Sequence, residues 1–365
     1  MRYVVTGGGT GGHIYPALAI AKTIMKHQSD AEILYIGTKH GLESEIVPRE
    51  GFEFKTIRIQ GFRRKLSRDT FKSACMIFRG MKDAKRILKE FKPDIVIGTG
   101  GYVCGPVVYQ ASRLKIPTVI HESNAFPGIT NKILAKKVDK ILVSFDEANK
   151  RFKRPERTVL TGNPIREDFL KVTDEEANRV IDKIAGKKLI FSFGGSGGQK
   201  SINLAILDLI ERFNDSKYQL IHVTGKNRYE DFMRLVDDKN IKVNSQVKIL
   251  PYMYAMPEVM KLSDLVIISA GALGISEVTA LGVPAIVIPK SYTTENHQEY
   301  NARVIEENGA GRMILESDLS SDKLWKIINQ ILVDEKGYTK MVENSLKLSE
   351  VDATEQIYKE IESMI

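Results

Sequence analysis

The sequence predicts an α/β protein made of two doubly wound parallel-sheet domains. Three observations carry this. A strand-forming run, Arg2-Tyr3-Val4-Val5-Thr6, enters a glycine loop that ends in histidine, Gly7-Gly8-Gly9-Thr10-Gly11-Gly12-His13. A comparable passage recurs half a chain later, where Lys188-Leu189-Ile190-Phe191-Ser192-Phe193 enters Gly194-Gly195-Ser196-Gly197-Gly198. Each pairs a buried β-run with side-chain-free backbone that can approach a phosphate at the start of the next helix. Third, β-rich runs alternate with helical stretches throughout the 365 residues, as Rossmann-like domains of about 150–200 residues each would require.

In the first half, strands are expected at 2–6, 32–37, 94–98, 117–121 and 139–143, with helices near 15–27, 41–50, 70–91, 105–114 and 127–136. The second half repeats the rhythm, with strands near 188–193, 218–224, 247–250, 265–269 and 284–288. Its helices are expected near 200–213, 228–237, 255–262, 272–281 and 296–308. Regular βα alternation means parallel sheets with helices on both faces. Gly162 and Pro164 break any regular element, which places the join between a domain at 1–162 and one at 163–338. In the terminal segment 339–365, residues from about 339 to 363 read as a polar helix with no following strand, free to pack on either domain.

Hydrophobic residues make up 42% and charged residues 27%, ordinary values for a soluble globular chain. No run approaches the roughly 20 apolar residues of a membrane span. Nothing at the start reads as a signal peptide, because Val4-Val5 already belong to a strand. Two cysteines, Cys75 and Cys104, are too few for a disulfide framework and lack metal-ligand spacing, which fits a reducing, cytoplasmic compartment. The formal charge of +8 is uneven. Residues 61–92 hold eleven Lys or Arg against three acids, so that segment carries the whole excess. A protein-wide nucleic-acid footprint is therefore not expected, and a local anionic surface is the better partner.

Gly7-x-Gly9-x-x-Gly12 satisfies the dinucleotide fingerprint, which also needs an acid at the end of the second strand to hold a ribose diol. That strand ends in Gly37-Thr38, which argues against a nicotinamide or flavin cofactor. Glycines serving only a tight turn would explain one loop, but explain poorly a doubled glycine pair closed by histidine. Gly98-Thr99-Gly100-Gly101-Tyr102-Val103-Cys104-Gly105-Pro106 follows another strand. Proline just inside a helix start leaves the amides ahead of it free for an anion, and a plain glycine turn is the alternative. His121-Glu122-Ser123-Asn124 closes a parallel strand, where open α/β sheets bind ligands. Glu277 falls in the first turn or two of a helix. There it complements the dipole or accepts two hydrogen bonds from a ribose diol while the helix amides meet a diphosphate. Residues 293–302 are dense in amide and imidazole groups, as a sugar-hydroxyl site or an exposed helix cap would be. No DxD, HExxH or CxxC pairing indicates an obligatory metal, and no GxSxG elbow is present.

Taken together, these stretches resemble glycosyltransferase family 28, and within it the bacterial UDP-N-acetylglucosamine:N-acetylmuramyl-(pentapeptide) pyrophosphoryl-undecaprenol N-acetylglucosaminyltransferases. The residues that carry the resemblance begin with Gly8-Gly9-Thr10-Gly11-Gly12-His13, Gly100-Gly101-Tyr102 with Gly105-Pro106, and His121-Glu122 with Asn124. They continue through Thr130-Asn131-Lys132, Gly162-Asn163-Pro164-Ile165-Arg166 and Gly194-Gly195-Ser196. They end with Gly271-Ala272, Ser276-Glu277 and Gln298 with Asn301-Ala302, in order along the chain.

The resemblance implies a GT-B architecture, two Rossmann-like domains facing a cleft with the C-terminal helix returning to the first domain. It implies inverting transfer of N-acetylglucosamine from UDP-N-acetylglucosamine to the 4-hydroxyl of lipid I in the membrane, forming lipid II for peptidoglycan, without a cofactor or metal. The first domain would take the acceptor and the second the donor. Carried over by position, Arg166 and Ser196 would bind the diphosphate, Glu277 the ribose, and the backbone of Met253 the uracil. Asn124, Ala272 and Gln298 would address the sugar, with Thr10, Gly11 and Gly12 lining the cleft. His13 is the candidate base, since imidazole titrates near neutrality, and Glu122 is the reserve. The chain departs from many members in having Ser269 in place of Arg and His297 in place of Gln.

The resemblance also implies a peripheral enzyme on the cytoplasmic face of the cell membrane, with partners in the cell-wall and division machinery. Phe71, Cys75, Phe78 and Met81 share one face of the helix expected at 70–91, and Arg63, Arg64, Lys65 and Arg68 lie beside it. Such a stripe ordinarily packs into a core. The basic residues make docking on anionic lipids of the cytoplasmic leaflet the expectation here. The alternatives are another GT-B enzyme (a diacylglycerol glucosyltransferase or a UDP-N-acetylglucosamine 2-epimerase), an NAD-dependent oxidoreductase, and a non-catalytic sugar-nucleotide sensor.

Overall fold

The chain divides into two units, one of Met1–Ile165 with Val351–Ile365 and one of Arg166–Glu350. The structure, a computed structural model, describes residues 1–61, 68–195 and 197–365, and of 68–75 and 294 the backbone alone.

The first unit holds β1 (Arg2–Thr6), β2 (Glu32–Gly37), β3 (Glu53–Thr56), β4 (Ile95–Gly98), β5 (Thr118–Glu122), β6 (Lys140–Val143) and β7 (Thr158–Leu160). They form one parallel sheet of order β3-β2-β1-β4-β5-β6-β7. Its inner strands read as unbroken apolar runs because both faces are covered. Alternation sorts β1: Val4 packs with Leu34, Ile36 and Val96 on one face, Tyr3 and Val5 with Tyr35 and Ile97 on the other. The helix Gly11–His27 covers that second face with Ile14, Ala17, Ile20 and Ile24. The last helix, Ala353–Glu362, adds Ile357, Tyr358 and Ile361 to the same core. Full burial of each such aliphatic side chain is worth about 1.5–3 kcal/mol. His27 stacks on Tyr358 at 4.3 Å and its Nε2 lies 2.7 Å from Glu355, which locks the two helices at their rim.

The second unit holds β8 (Lys188–Phe193), β9 (Tyr218–Val223), β10 (Val247–Leu250), β11 (Leu265–Ser269), β12 (Ala285–Ile288) and β13 (Gly311–Met313), all parallel in the order β10-β9-β8-β11-β12-β13. Phe213, Tyr218 and Trp325 interlock edge to face in its core. In each sheet the strand order reverses beside its first strand, between β1 and β4 and between β8 and β11. Crevices outside the carboxyl ends at such switch points are where open α/β sheets bind ligands.

The ten expected strands form within one residue of their expected bounds, whereas β3, β7 and β13 were not expected. Expected helix starts at 15 and 105 move back to Gly11 and Gly101, so Pro16 and Pro106 are sixth residues of their helices. Pro106 therefore does not mark a helix start. The glycines set it instead, with Gly100 and Gly101 at φ +104° and +81°. The single helix expected from 339 to 363 is two, Glu335–Lys347 and Ala353–Glu362, and the chain passes between units at residue 350.

The long helix Arg68–Phe91 buries Ala84, Ile87 and Leu88, and its Asp83 receives Arg58 Nε and Nη2 at 2.8 and 2.7 Å. Those bonds hold the Asp83 carboxyl below its usual range. Phe78, on the same helix, is 70% exposed, and Met81 is half-buried. Arg63, Arg64 and Lys65, and the side chains of Arg68, Phe71 and Cys75, lie outside the described residues. Among the described residues no helix is long and apolar enough to cross a membrane.

Candidate functional site

At the switch point of the first unit, the loop after β1 interlocks with the loop after β4. A Cβ on Gly101 would stand 2.1 Å from the Gly8 carbonyl oxygen, and one on Gly7 2.1 Å from Thr99 Oγ1. Thr99 Oγ1 donates to the His13 carbonyl at 2.6 Å. His13 is the third residue of its helix, half-buried, with Nδ1 3.1 Å from Thr10 Oγ1. Its Nε2 lies 3.1 Å from where a Cβ on Gly100 would stand, so the ring rests on bare backbone. Thr10 and Gly12 are exposed and Gly11 half-buried at the same helix start.

Sequence reasoning missed Glu43. The search for an acid ended at Gly37-Thr38, and the acid stands five residues further on. It is fully buried, and it faces the loop itself rather than a ligand. Its Oε2 accepts from Gly9 N at 3.2 Å, and its Oε1 from Thr38 N at 3.1 Å and Thr38 Oγ1 at 2.6 Å.

Glu122 is 3% exposed. One oxygen accepts from Asn124 N and Nδ2 at 3.0 and 3.1 Å, the other from Gly128 N and Asn131 Nδ2 at 3.0 and 2.8 Å. Four donors fill the roughly four lone-pair sites of a carboxylate. This group shapes the turn that carries Asn124. His121, fully buried, sits 3.0 Å from the Gly162 carbonyl, and burial lowers its pKa, so it braces that turn as a neutral ring.

In the second unit the loop after β8 interlocks with Thr224-Gly225. A Cβ on Gly198, at φ +70°, would stand 2.0 Å from the Thr224 carbonyl oxygen. Ser196 lies outside the described residues. Gly271 caps the helix Ala272–Ala280, whose first-turn amides have no partner within the helix. Ala272 is buried at its start, and Ser269 is buried at the end of β11. Glu277 stands in the second turn, 17% exposed, and accepts no hydrogen bond among the described residues. Arg166 Nε is 3.8 Å away, and that guanidinium also rests 4.7 Å over the Phe169 ring. Burial pushes the Glu277 carboxyl up to about 7 against the pull of Arg166.

Gln298, 8% exposed, accepts from Lys290 N through Oε1 at 3.0 Å, and its Nε2 makes no hydrogen bond among the described residues. The backbone of Met253, a buried residue past β10, is likewise unpaired among them. The structure thus brings Arg166, Ala272, Glu277, Gln298 and Met253 into the second unit, and His13, Glu122, Asn124 and Thr10–Gly12 into the first.

Comparison with known proteins places these units. Residues 3–143 match the glycosyltransferase family 28 N-terminal domain, and residues 189–357 match the family 28 C-terminal domain. The chain is 50% identical, over the full length of both, to the UDP-N-acetylglucosamine–N-acetylmuramyl-(pentapeptide) pyrophosphoryl-undecaprenol N-acetylglucosamine transferase of Thermoanaerobacter sp. (strain X514). It is 47% identical to the protein of that name in Acetivibrio thermocellus, covering 100% of this chain and 98% of the relative. Among solved structures, MurG of Acinetobacter baumannii is similar with a TM-score of 0.77 and 26% identity, covering 99% of each chain. The chain belongs to glycosyltransferase family 28.

Proposed function

We propose that the protein transfers N-acetylglucosamine from UDP-N-acetylglucosamine to the 4-hydroxyl of undecaprenyl-diphospho-N-acetylmuramoyl-pentapeptide, lipid I, making lipid II. The observation that carries this is identity of 50% to a transferase so named over the whole of both chains. Groups in the second unit that make no hydrogen bond among the described residues support it. Glu277 offers carboxylate oxygens to a ribose diol, Gln298 Nε2 a donor to a sugar hydroxyl, and Met253 a free peptide edge to uracil.

In the reaction the acceptor oxygen forms a bond to the anomeric carbon as the bond to the UDP oxygen breaks, inverting that centre. The acceptor proton goes to His13 Nε2, which requires Nδ1–H to donate to Thr10 Oγ1. Glu122, with its oxygens filled, positions Asn124. Arg166 and the amides at Ala272 receive the charge developing on UDP. Labelled UDP-N-acetylglucosamine incubated with lipid I tests the reading. Lipid II and UDP are expected in equal amounts. Label appearing instead in N-acetylmannosamine would identify an epimerase and overturn it.

The same reading places the protein at the cytoplasmic leaflet, docked through residues 63–81 on anionic lipid and within reach of the cell-wall and division machinery. An exposed Phe78 supports the docking. In co-sedimentation, an Arg63/Arg64/Lys65/Arg68→Gln variant should lose binding to anionic vesicles, and wild type should lose it in high salt. Wild type that never sediments with anionic vesicles would overturn the docking.

A further inference from the structure

Two cations flank Gly195 and Gly198, and among the described residues neither ammonium nor guanidinium makes an ion pair. Lys290, two residues past β12, is half-buried. Its Nζ donates once, to the Gly198 carbonyl at 3.4 Å, and stands 3.9 Å from where a Cβ on Gly195 would be. An ammonium has three N–H groups, and the other two have no acceptor among the described residues. On the far side, Arg228 Cδ lies 3.2 Å from a Cβ position on Gly198, and its guanidinium makes no hydrogen bond or ion pair among the described residues.

Lys290 is held in place by more than its head group. Its main chain is pinned. Gln298 Oε1 accepts from Lys290 N, and Ser291 N and Oγ donate to Glu316 Oε2 at 2.8 and 2.7 Å. The other Glu316 oxygen takes Ser201 Oγ at 2.6 Å and Gln199 Nε2 at 3.0 Å, at the start of the helix after the loop. Glu316 thereby ties the Lys290 segment to the glycine loop. Burial first, and then Arg228, lower the Lys290 pKa, with the Glu316 carboxylate pulling the other way. Cations held together at this cost call for an anion to complete the arrangement.

We propose that Lys290 is a donor-binding residue whose ammonium receives the diphosphate of the nucleoside-diphosphate sugar beside Gly195 and Gly198, with Arg228 as the outer cation. This rests on the donor reading above and adds a residue to it. As the sugar leaves, the diphosphate gains charge, and a cation already desolvated beside it stabilises that charge more than it does the ground state.

Calorimetric titration with UDP and with uridine tests the assignment, because only UDP carries the phosphates. Lys290→Met should weaken UDP about 10- to 100-fold, the scale of a hydrogen bond to a charged group, and leave uridine within about twofold. Lys290→Arg should restore most of the UDP affinity. UDP affinity unchanged in Lys290→Met would overturn the assignment, as would equal losses of UDP and uridine, which would mark a structural role. Wild type that binds neither ligand would overturn the donor reading and the assignment together. Wild type that binds both, with Lys290→Met unchanged, would overturn the assignment alone.

Discussion

The two glycine loops share a backbone plan and differ in charge. Beneath the loop after β1 lies Glu43, whose carboxylate takes the Gly9 amide. Beside the loop after β8 stand Lys290 and Arg228, and among the described residues no carboxylate accepts from its amides. Glycine at such a turn says only that something approaches the backbone closely. The neighbouring charges decide what approaches. In the first unit an internal side chain already occupies the place an anion would take, so the loop's product is a held histidine. In the second unit no carboxylate among the described residues fills that place, and the neighbouring groups are cationic.

The comparison can be broken most sharply at His13. His13→Ala should lower turnover about 10²- to 10⁴-fold, the scale of losing a general base, while UDP affinity stays near wild type. Near-normal turnover would remove His13 from the chemistry and leave the first loop without a function. Glu43→Ala comes next. It strips the acceptor from two backbone amides and a hydroxyl, costing up to about 3 kcal/mol of stability. Thermal melting should show the loss, with turnover falling and UDP affinity unchanged. A matching fall in UDP affinity would mean that the two loops do not work independently.

Glu277→Ala should weaken UDP-N-acetylglucosamine by roughly 1.5–3 kcal/mol, and a 2′-deoxy donor should lose much less to the same substitution. Equal losses for both donors would refute the ribose contact. The smallest effect is on pH. With its carboxyl raised to about 7, Glu277 is ionised above that pH and protonated below it. A ribose diol donates to the ionised form. UDP-N-acetylglucosamine, whose diphosphate does not titrate in this range, should therefore bind fully at pH 8 and lose affinity as pH drops through 7, about tenfold by pH 6. Glu277→Gln should flatten that profile, and a flat profile in wild type would contradict it.

Legibility in the sequence followed burial. Strands covered on both faces, such as Val4-Val5 or Leu265-Val266-Ile267-Ile268, are short apolar runs whose length, β-branched residues and flanking glycines set them apart from buried helices. The strands that escaped notice, β3, β7 and β13, are edge strands of three or four residues, and Glu53-Phe54-Lys55-Thr56 alternates over too short a span to register. Glycine loops were visible because their composition is extreme. Glu43 and Lys290 were not, because an acid or a lysine near a strand end is commonplace until a fold shows which backbone it faces. Glu122 was visible as an acid at a strand end, but its four donors come from residues 124, 128 and 131, and only the folded turn reveals that its oxygens are filled.

The last helix gives the molecule an order of assembly. Ile357, Tyr358 and Ile361 share a core with Ala17, Ile20 and Ile24, yet the whole second unit is synthesised between them. At about 5–20 residues per second, the part of the first core that meets the last helix waits uncovered for roughly 10–40 s after its own unit has otherwise left the ribosome. The unit that begins first is therefore the one that finishes last. A stop codon after Glu350 would spare the second unit and uncover the first, so the lesion would be felt at the opposite end of the gene from where it was made.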